Sequence, residues 1–291
     1  MRIHLIDGTF ELYRAHFSPR PGHTGPNGED FKASVGVARN MLSLLDDADE
    51  KVTHLAIAFD NPIVSFRNRL FDGYKTDEGV PPELRSQFDL VEMTCRALGI
   101  VVWSMDEHEA DDGMATGARR WRDEVEQVRI LSPDKDLGQC LVGTKVVQVD
   151  RIRRKEMTAE SAQTLRGISV SLIPDFLALV GDTADGIPGV PGFGEKTTST
   201  LLAHFGGLDA IPDDPAKWPP GVRRAPALAA ALASSRAAAQ LYRRLATLVE
   251  DVPLKESLAD LEWKGAQRGP WEAWCAAVKA PDLLERPRRF Q

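Results

Sequence analysis

Nine acidic residues of this 291-residue chain stand at positions from which their carboxylates could act together. Asp7 and Asp60 each follow a short apolar run, and such runs are typical of buried parallel strands. In an open parallel sheet, ligands bind beyond the carboxyl ends of the strands. We therefore expect these acids to converge at one edge of a sheet. The full set is Asp7, Asp60, Glu109, Asp111, Asp112, Asp134, Asp136, Asp182 and Asp185.

Carboxylates that converge in this way predict a bound cation, because neighbouring negative charges repel one another. At about 4 Å and an effective dielectric constant of about 20, each pair costs about 4 kcal/mol. Oxygen ligands, without cysteine or paired histidine, favour Mg²⁺ or Mn²⁺ over Zn²⁺. Two such ions held by shared carboxylates are typical of phosphodiester hydrolysis. Each acid taken singly is more often a turn former or a helix cap, so the prediction depends on the whole set.

The net charge of −7 by itself argues against a polyanionic partner. If the nine acids belong to a metal site, the rest of the chain carries −7 + 9 = +2 and can approach a phosphate backbone. The longest apolar run, residues 227–233, is far too short to cross a bilayer, and the N-terminus lacks a signal-peptide pattern. We therefore expect a cytoplasmic protein with no membrane contact.

The elements that must position these acids follow from the hydrophobic pattern. Apolar runs predict strands at residues 3–6, 55–59, 100–103 and 128–131, with helical patterns at 31–45 and 109–121. This alternation predicts an α/β fold with a mostly parallel sheet flanked by helices. From residue 172 the pattern becomes helical, at 172–180, 196–205 and 227–248. We expect an α/β domain over residues 1–171 and a helical part over 172–291.

A glycine-rich turn at residues 187–197 separates two of the predicted helices. It is not a nucleotide-binding P-loop, because Glu195 separates Gly194 from Lys196 and no strand precedes it. The turn instead predicts exposed backbone amides and a helix N-terminus with a lysine beside them, which suits phosphate binding without base recognition. A purely structural turn between helices is the alternative.

In combination and order, these motifs resemble the bacterial 5′ nuclease, or flap endonuclease, family. The likeness covers residues 5–208, and the chain is similar to the N-terminal 5′ nuclease domain of bacterial DNA polymerase I. Because no polymerase sequence follows before Gln291, we expect a stand-alone relative. The motifs are Leu5-Ile6-Asp7-Gly8-Thr9 with Tyr13-Arg14-Ala15, Ala58-Phe59-Asp60, Phe66-Arg67 with Tyr74-Lys75, Glu109-Ala110-Asp111-Asp112, Asp134-Lys135-Asp136-Leu137, and the run from Leu179 through Asp185 to Thr197.

The resemblance implies a PIN-like nuclease core, a helical arch over residues 66–98, and a helix-three-turn-helix over residues 172–208. It also implies about two Mg²⁺ or Mn²⁺ ions, and a K⁺ ion at the helix-three-turn-helix. The implied ligand sets are Asp7, Asp60 and Asp111 with Glu109 behind them for one ion, Asp134, Asp136 and Asp185 for the other, and Asp112 and Asp182 near both.

The resemblance further implies which residues contact DNA. Lys75 and Arg14 would touch the scissile phosphate from two sides and act in catalysis with Asp111 and Asp134, while Tyr74 would stack on a base. These roles agree with physical expectation, because a cation can offset the charge that develops at phosphorus and an aromatic ring can stack on any base. The implied DNA-binding set is Arg14, Arg67, Tyr74, Lys75, Gly192, Gly194, Lys196 and Thr197.

The function implied is that of a monomeric, structure-specific 5′ nuclease that cuts DNA at 5′ flaps and 5′ ends in primer removal and repair. Two departures from the family pattern favour an alternative, a catalytically weak or silent protein that binds DNA junctions. Gly186 replaces a usual asparagine and predicts a looser turn around Asp185, and the acids Asp77 and Glu78 follow Lys75 in the expected arch. A PIN-type ribonuclease is a second alternative, which the glycine-rich hairpin disfavours.

Overall fold

The computed structural model describes every residue from Met1 to Gln291. In chain order, the strands are β1 (Arg2–Asp7), β2 (His54–Asp60), β3 (Val101–Met105), β4 (Gln127–Leu131), β5 (Val146–Asp150) and β6 (Lys155–Met157). The α-helices are α1 (Gly8–His16), α2 (Lys32–Leu45), α3 (Pro82–Arg85), α4 (Phe88–Ala97), α5 (Ala110–Trp121), α6 (Ala159–Arg166), α7 (Ile173–Val180), α8 (Glu195–Phe205), α9 (Ala225–Ala246) and α10 (Arg268–Ala277).

The chain divides into two compact units that are interleaved in sequence. Unit 1 comprises Met1–Ile63, Asp77–Ser132 and Glu250–Gln291, and unit 2 comprises Val64–Thr76 and Pro133–Val249. This division differs from the expected one at residue 171. Residues 250–291 belong to unit 1 because α10 packs on α4 and the Trp263 indole donates a hydrogen bond to the Leu98 carbonyl at 2.8 Å.

Unit 1 is built on a parallel sheet in which the strand order is β3-β2-β1-β4. Its inner strands are buried, with Ile3, Leu5 and Ile6 fully covered. Helix α5 packs on β1, β2 and β3, and α1 and α2 pack on each other. All four predicted strands are confirmed, as are the helices predicted around α2 and α5. Parallel order brings the carboxyl ends of β1 and β2 side by side.

Unit 2 contains the antiparallel pair β5 and β6 together with α6 to α9. Its core is an apolar cluster in which residues of α7, α8 and α9 pack together, among them Leu177, Leu201 and Leu232. The predicted helices around α7, α8 and α9 are confirmed. No strand was predicted at β5 or β6, because β6 is short and half of this hairpin is charged.

The expected arch over residues 66–98 is wrong for its second half. Residues 88–97 form α4, a core helix of unit 1 that packs on α2 and α10. Phe88, Val91, Cys95 and Leu98 follow each other at helical spacing and are all fully buried, which explains why this segment does not protrude. None of the helices is long and apolar enough to cross a membrane.

Candidate active site

In unit 1, Asp7 and Asp60 occupy the adjacent ends of β1 and β2. Asp7 caps α1, its Oδ1 accepting from the Phe10 amide at 2.8 Å, and its Oδ2 accepts from the Ser132 hydroxyl at 2.8 Å. The Asp60 carboxylate accepts from the Ala110 amide at the start of α5, at 2.7 Å. Both carboxylates therefore lie at helix N-termini, where backbone amides donate to them.

The acids of the Glu109–Asp112 motif lie at the same end of α5. Glu109 is the N-cap and forms a capping box with Asp112, whose Oδ2 accepts from the Glu109 amide at 3.0 Å. Glu109 and Asp112 are buried, whereas Asp111 is partly exposed. The structural explanation for acids at a helix start thus holds for Glu109 and Asp112, and Asp111 is the acid of this motif that solvent reaches.

In unit 2, the remaining four acids lie on two neighbouring segments, one after β4 and one after α7. Asp134 caps the 3-10 helix Lys135–Cys140 and accepts from the Asp136 amide at 2.8 Å. Asp182 accepts from the Ala184 amide at 2.9 Å and pairs with the Lys135 ammonium at 2.7 Å. Asp185 pairs with the Lys75 ammonium at 3.0 Å. Asp134, Asp182 and Asp185 are thus each held by a specific donor.

Asp136 differs from its neighbours because its Oδ1 is buried without a hydrogen-bond partner. The side chain is only 6% exposed, and burial raises its pKa to about 8, helped by the negative charges of Asp134, Asp185 and Asp182. A buried, unsatisfied oxygen among three carboxylates requires a compensating group. The chemistry of this donor set fits a divalent cation with oxygen ligands.

The acids do not form a complete metal site by themselves. No three histidine, cysteine, aspartate or glutamate side chains are arranged closely enough to hold an ion. The structure thus brings Asp7, Asp60 and the start of α5 together in unit 1, and Asp134, Asp136, Asp182 and Asp185 together in unit 2, without completing a ligand set in either. The assignment of individual residues to individual ions remains a prediction.

The turn around Asp185 is closed and not loose as Gly186 led us to expect. Asp182 and Ile187 exchange backbone hydrogen bonds of 2.8 and 2.7 Å, and the Lys75 amide donates to the Asp185 carbonyl at 3.0 Å. Gly186 has φ +74°, and a Cβ there would lie 2.1 Å from the Gly73 carbonyl oxygen. Glycine is therefore the residue that permits this close approach of two backbones.

Two of the residues assigned to DNA contact are buried. Arg67 is only 1% exposed and donates to the Leu245 and Thr247 carbonyls at 2.8 and 3.1 Å, so it caps the C-terminus of α9. Tyr74 is 3% exposed and packs in the core of unit 2. DNA contact by Arg67 and base stacking by Tyr74 would require both side chains to leave these positions, and both assignments stay predictions. Composition alone did not distinguish a buried arginine and tyrosine from a DNA-binding pair.

The two cations assigned to the scissile phosphate are both held by acids. Arg14 forms an ion pair with Glu11, which is three residues earlier on α1 and also accepts from the Asn40 amide group at 3.0 Å. Lys75 is held by Asp185, and its ammonium lies 5.7 Å from the centre of the Tyr74 ring. Both side chains are partly exposed and therefore accessible to a ligand.

Sequence reasoning missed three side chains that orient the acids. Ser132 donates to Asp7, the Thr9 hydroxyl accepts from the Asp60 amide at 2.8 Å, and Lys135 pairs with Asp182. Thr9 and Lys135 stand beside motif acids in the sequence, which could have suggested them. Ser132 likewise stands two residues before Asp134, but nothing in the sequence indicates its partner Asp7, which is 125 positions away.

The glycine-rich turn joins α7 to α8 as predicted. Gly189 has φ +72°, and a Cβ there would lie 2.5 Å from the Gly181 amide nitrogen, so the hairpin depends on glycine at this close approach. Phe193 anchors the turn edge-on against Trp218, with ring centroids 6.4 Å apart. The turn's predicted phosphate-binding residues, Gly192, Gly194, Lys196 and Thr197, are exposed or partly exposed.

Comparison with known proteins agrees with this geometry. Residues 2–166 match the model of the 5′-3′ exonuclease N-terminal resolvase-like domain, and residues 168–269 match that of the 5′-3′ exonuclease C-terminal SAM fold. DNA polymerase I of Pseudomonas aeruginosa is 36% identical over 86% of this chain and 27% of its own length. The 5′-3′ exonuclease of Aquifex aeolicus is 29% identical over 99% of this chain and 91% of its own.

Among solved structures, the fold is similar to that of the bacteriophage T5 flap endonuclease in a pseudo-enzyme–product complex with DNA and metal ions. The TM-score is 0.62 at 18% identity, over 98% of this chain and 96% of that one. The chain spans less than a third of the length of the DNA polymerase I relatives that it matches. With family models covering both its N-terminal and its C-terminal regions, the chain belongs to the 5′-3′ exonuclease family.

Proposed function

We propose that this chain is a metal-dependent 5′ nuclease that hydrolyses DNA at 5′ flaps and 5′ ends, and that it serves in primer removal and repair. The observation that carries the proposal is Asp136, a buried carboxyl with an unsatisfied oxygen and three carboxylate neighbours, in a chain of the 5′-3′ exonuclease family. Such an arrangement is costly unless a proton or a cation offsets the charge, and only a cation leaves the carboxylate ionised.

We assign one Mg²⁺ or Mn²⁺ ion to Asp134, Asp136 and Asp185, and another to Asp7, Asp60 and Asp111 with Glu109 behind them. Asp112 and Asp182 would stabilise these sets from positions near the ions. When bound, such ions lower the pKa of water and neutralise charge at phosphorus. The T5 flap endonuclease, which has a similar fold, was solved with DNA and metal ions, and this supports a metal-dependent reaction.

The chain's own cations would orient the phosphate. The Lys75 ammonium is anchored at Asp185, so it can offset negative charge on a phosphate bound beside that carboxylate. Arg14 is oriented by Glu11, which Asn40 holds in turn. A guanidinium fixed in this way can donate two parallel hydrogen bonds to phosphate oxygens.

The helix-three-turn-helix would bind the duplex part of the substrate. The exposed Gly192 and Gly194 leave the backbone accessible, and Lys196 lies in the first turn of α8. Amide and lysine contacts to phosphates fix orientation without reading sequence, which suits an enzyme that recognises branched or 5′-ended DNA. We assign a K⁺ ion to backbone carbonyls of this turn, and we expect the protein to act as a monomer.

The test is cleavage of a 5′-labelled DNA flap in Mg²⁺ or Mn²⁺, compared with excess chelator. We expect a labelled product of about the flap's length with either metal, and none with chelator. An otherwise identical substrate with an RNA flap distinguishes a ribonuclease. A protein that binds the flap but cuts neither substrate in either metal would be a junction-binding protein, and our proposal would then be wrong.

A further inference from the structure

The turn between β5 and β6 carries a dense run of cations in this acidic chain. Residues 151–166 contain five arginines and lysines and two glutamates, a net charge of +3 in a protein of net charge −7. Four of these cations lie within the five residues from Arg151 to Lys155, interrupted only by Ile152, which is 58% exposed. We call residues 150–157 the basic hairpin.

The basic hairpin holds its cations on a rigid turn. Asp150 accepts hydrogen bonds from the Ile152 and Arg153 amides, both at 2.9 Å, and pairs with the Arg153 guanidinium at 2.9 Å. Arg154 and Lys155 are exposed and form no ion pair. Their positive charges therefore point from a fixed backbone into solvent.

Arg154 also has a backbone conformation that its side chain does not favour. Its φ is +51°, in the left-handed region where glycine or asparagine is the usual residue. A residue kept in such a conformation is a candidate for a functional role. Lys51, Arg224 and Lys279 share this conformation, so the exposed charge of Arg154, and not its φ alone, carries the argument.

Two grooves of unit 2 adjoin at α6, one beside the basic hairpin and one beside the helix-three-turn-helix. Two grooves of about 440 and 770 Å³ share Thr164 and Leu165 on α6. The smaller reaches Lys155, and the larger reaches Arg166 and Lys196. The cations Lys155, Arg166 and Lys196 line these grooves together with hydroxyl groups, and the acids Glu160 and Glu195 stand among them.

We propose that the basic hairpin and the adjoining face of α6 form a second phosphate-binding surface, which contacts the backbone of duplex DNA beyond the helix-three-turn-helix. The proposal rests on the proposed function for the identity of the partner as DNA. Unpaired arginine and lysine side chains bind a phosphate backbone through release of counterions, without base recognition. Hydroxyl groups such as that of Thr164 can donate further hydrogen bonds to phosphate oxygens.

The experiment compares Arg154→Gly with Lys51→Gly in equilibrium binding to a blunt DNA duplex, in chelator and over a range of salt concentrations. Lys51 is an exposed lysine of unit 1 with φ +51°, so both variants lose one cation and relax one left-handed residue. We expect Arg154→Gly to weaken binding several-fold and to reduce the salt slope by about 0.9, the value for one phosphate contact. Lys51→Gly should bind as the wild type does.

Two further measurements make the result decisive. Urea unfolding should show Arg154→Gly to be at least as stable as the wild type, and Lys155→Ser should reproduce the loss of slope without a change at the strained residue. Wild-type slopes in both hairpin variants would overturn the proposal. Flap cleavage by the wild type is measured separately. If the hairpin variants reduce the salt slope but the wild type does not cleave the flap, the proposed nuclease function is refuted and the DNA-binding role of the hairpin stands.

Discussion

Divalent metal binding should release a proton from Asp136. Because the pKa of Asp136 is raised to about 8, its carboxyl is protonated in about nine-tenths of the metal-free molecules at pH 7 and in about one-tenth at pH 9. A metal ion binds only the carboxylate, so we expect about 0.9 proton released per ion at pH 7 and about 0.1 at pH 9. The apparent affinity should rise about ten-fold between these pH values.

The assay is calorimetric titration with Mg²⁺ in two buffers whose ionisation enthalpies differ, because the difference in heat reports the protons released. Asp136→Asn should abolish the buffer-dependent heat that belongs to this site. Glu160→Gln is the control, since Glu160 is an exposed acid on α6 of the same unit. Heats that do not depend on the buffer at pH 7, or equal proton release in wild type and Asp136→Asn, would refute the reasoning.

The same pKa predicts how stability depends on pH when metal is absent. The pKa of Asp136 is higher in the folded protein than its ordinary value of 3.8, so the folded state binds the proton more tightly. Its contribution to stability is complete below about pH 4 and is lost as the pH rises through about 8. In chelator, urea unfolding of Asp136→Asn should lack this decline, and a parallel decline in both proteins would contradict the prediction.

Three other changes test the site and the turns. Asp134→Asn should abolish flap cleavage yet keep DNA binding and fold, because asparagine can still cap the helix at the Asp136 amide; normal turnover would count against the metal assignment. Lys196→Ala should reduce the salt slope of duplex binding by about one, and an unchanged slope would mean that Lys196 touches no phosphate. Gly186→Ala should lower the free energy of unfolding by about 1–3 kcal/mol, measured in urea, because its Cβ would collide with the Gly73 carbonyl; wild-type stability would show that this approach is not rigid.

The sequence determined the parallel sheet of unit 1 and the acids at its edge. Buried strands such as β1 and β2 must be almost wholly apolar, so the first acid after each run marks where the strand ends. Local pattern also sufficed for the glycine-rich turn between α7 and α8, because Gly189 meets a requirement of the backbone itself. These features depend on residues that are adjacent in the chain and on the spacing at which apolar residues recur. Both are visible in the amino-acid sequence.

Only the tertiary structure decided which polar and aromatic side chains are buried. Arg67 and Tyr74 have the composition of a DNA-binding pair, yet the C-terminus of α9 and the core of unit 2 enclose them. The same applies to Asp136, whose raised pKa results from burial and from carboxylates up to 49 positions away. Burial and charge coupling of this kind depend on contacts between distant segments, and local periodicity does not contain that information.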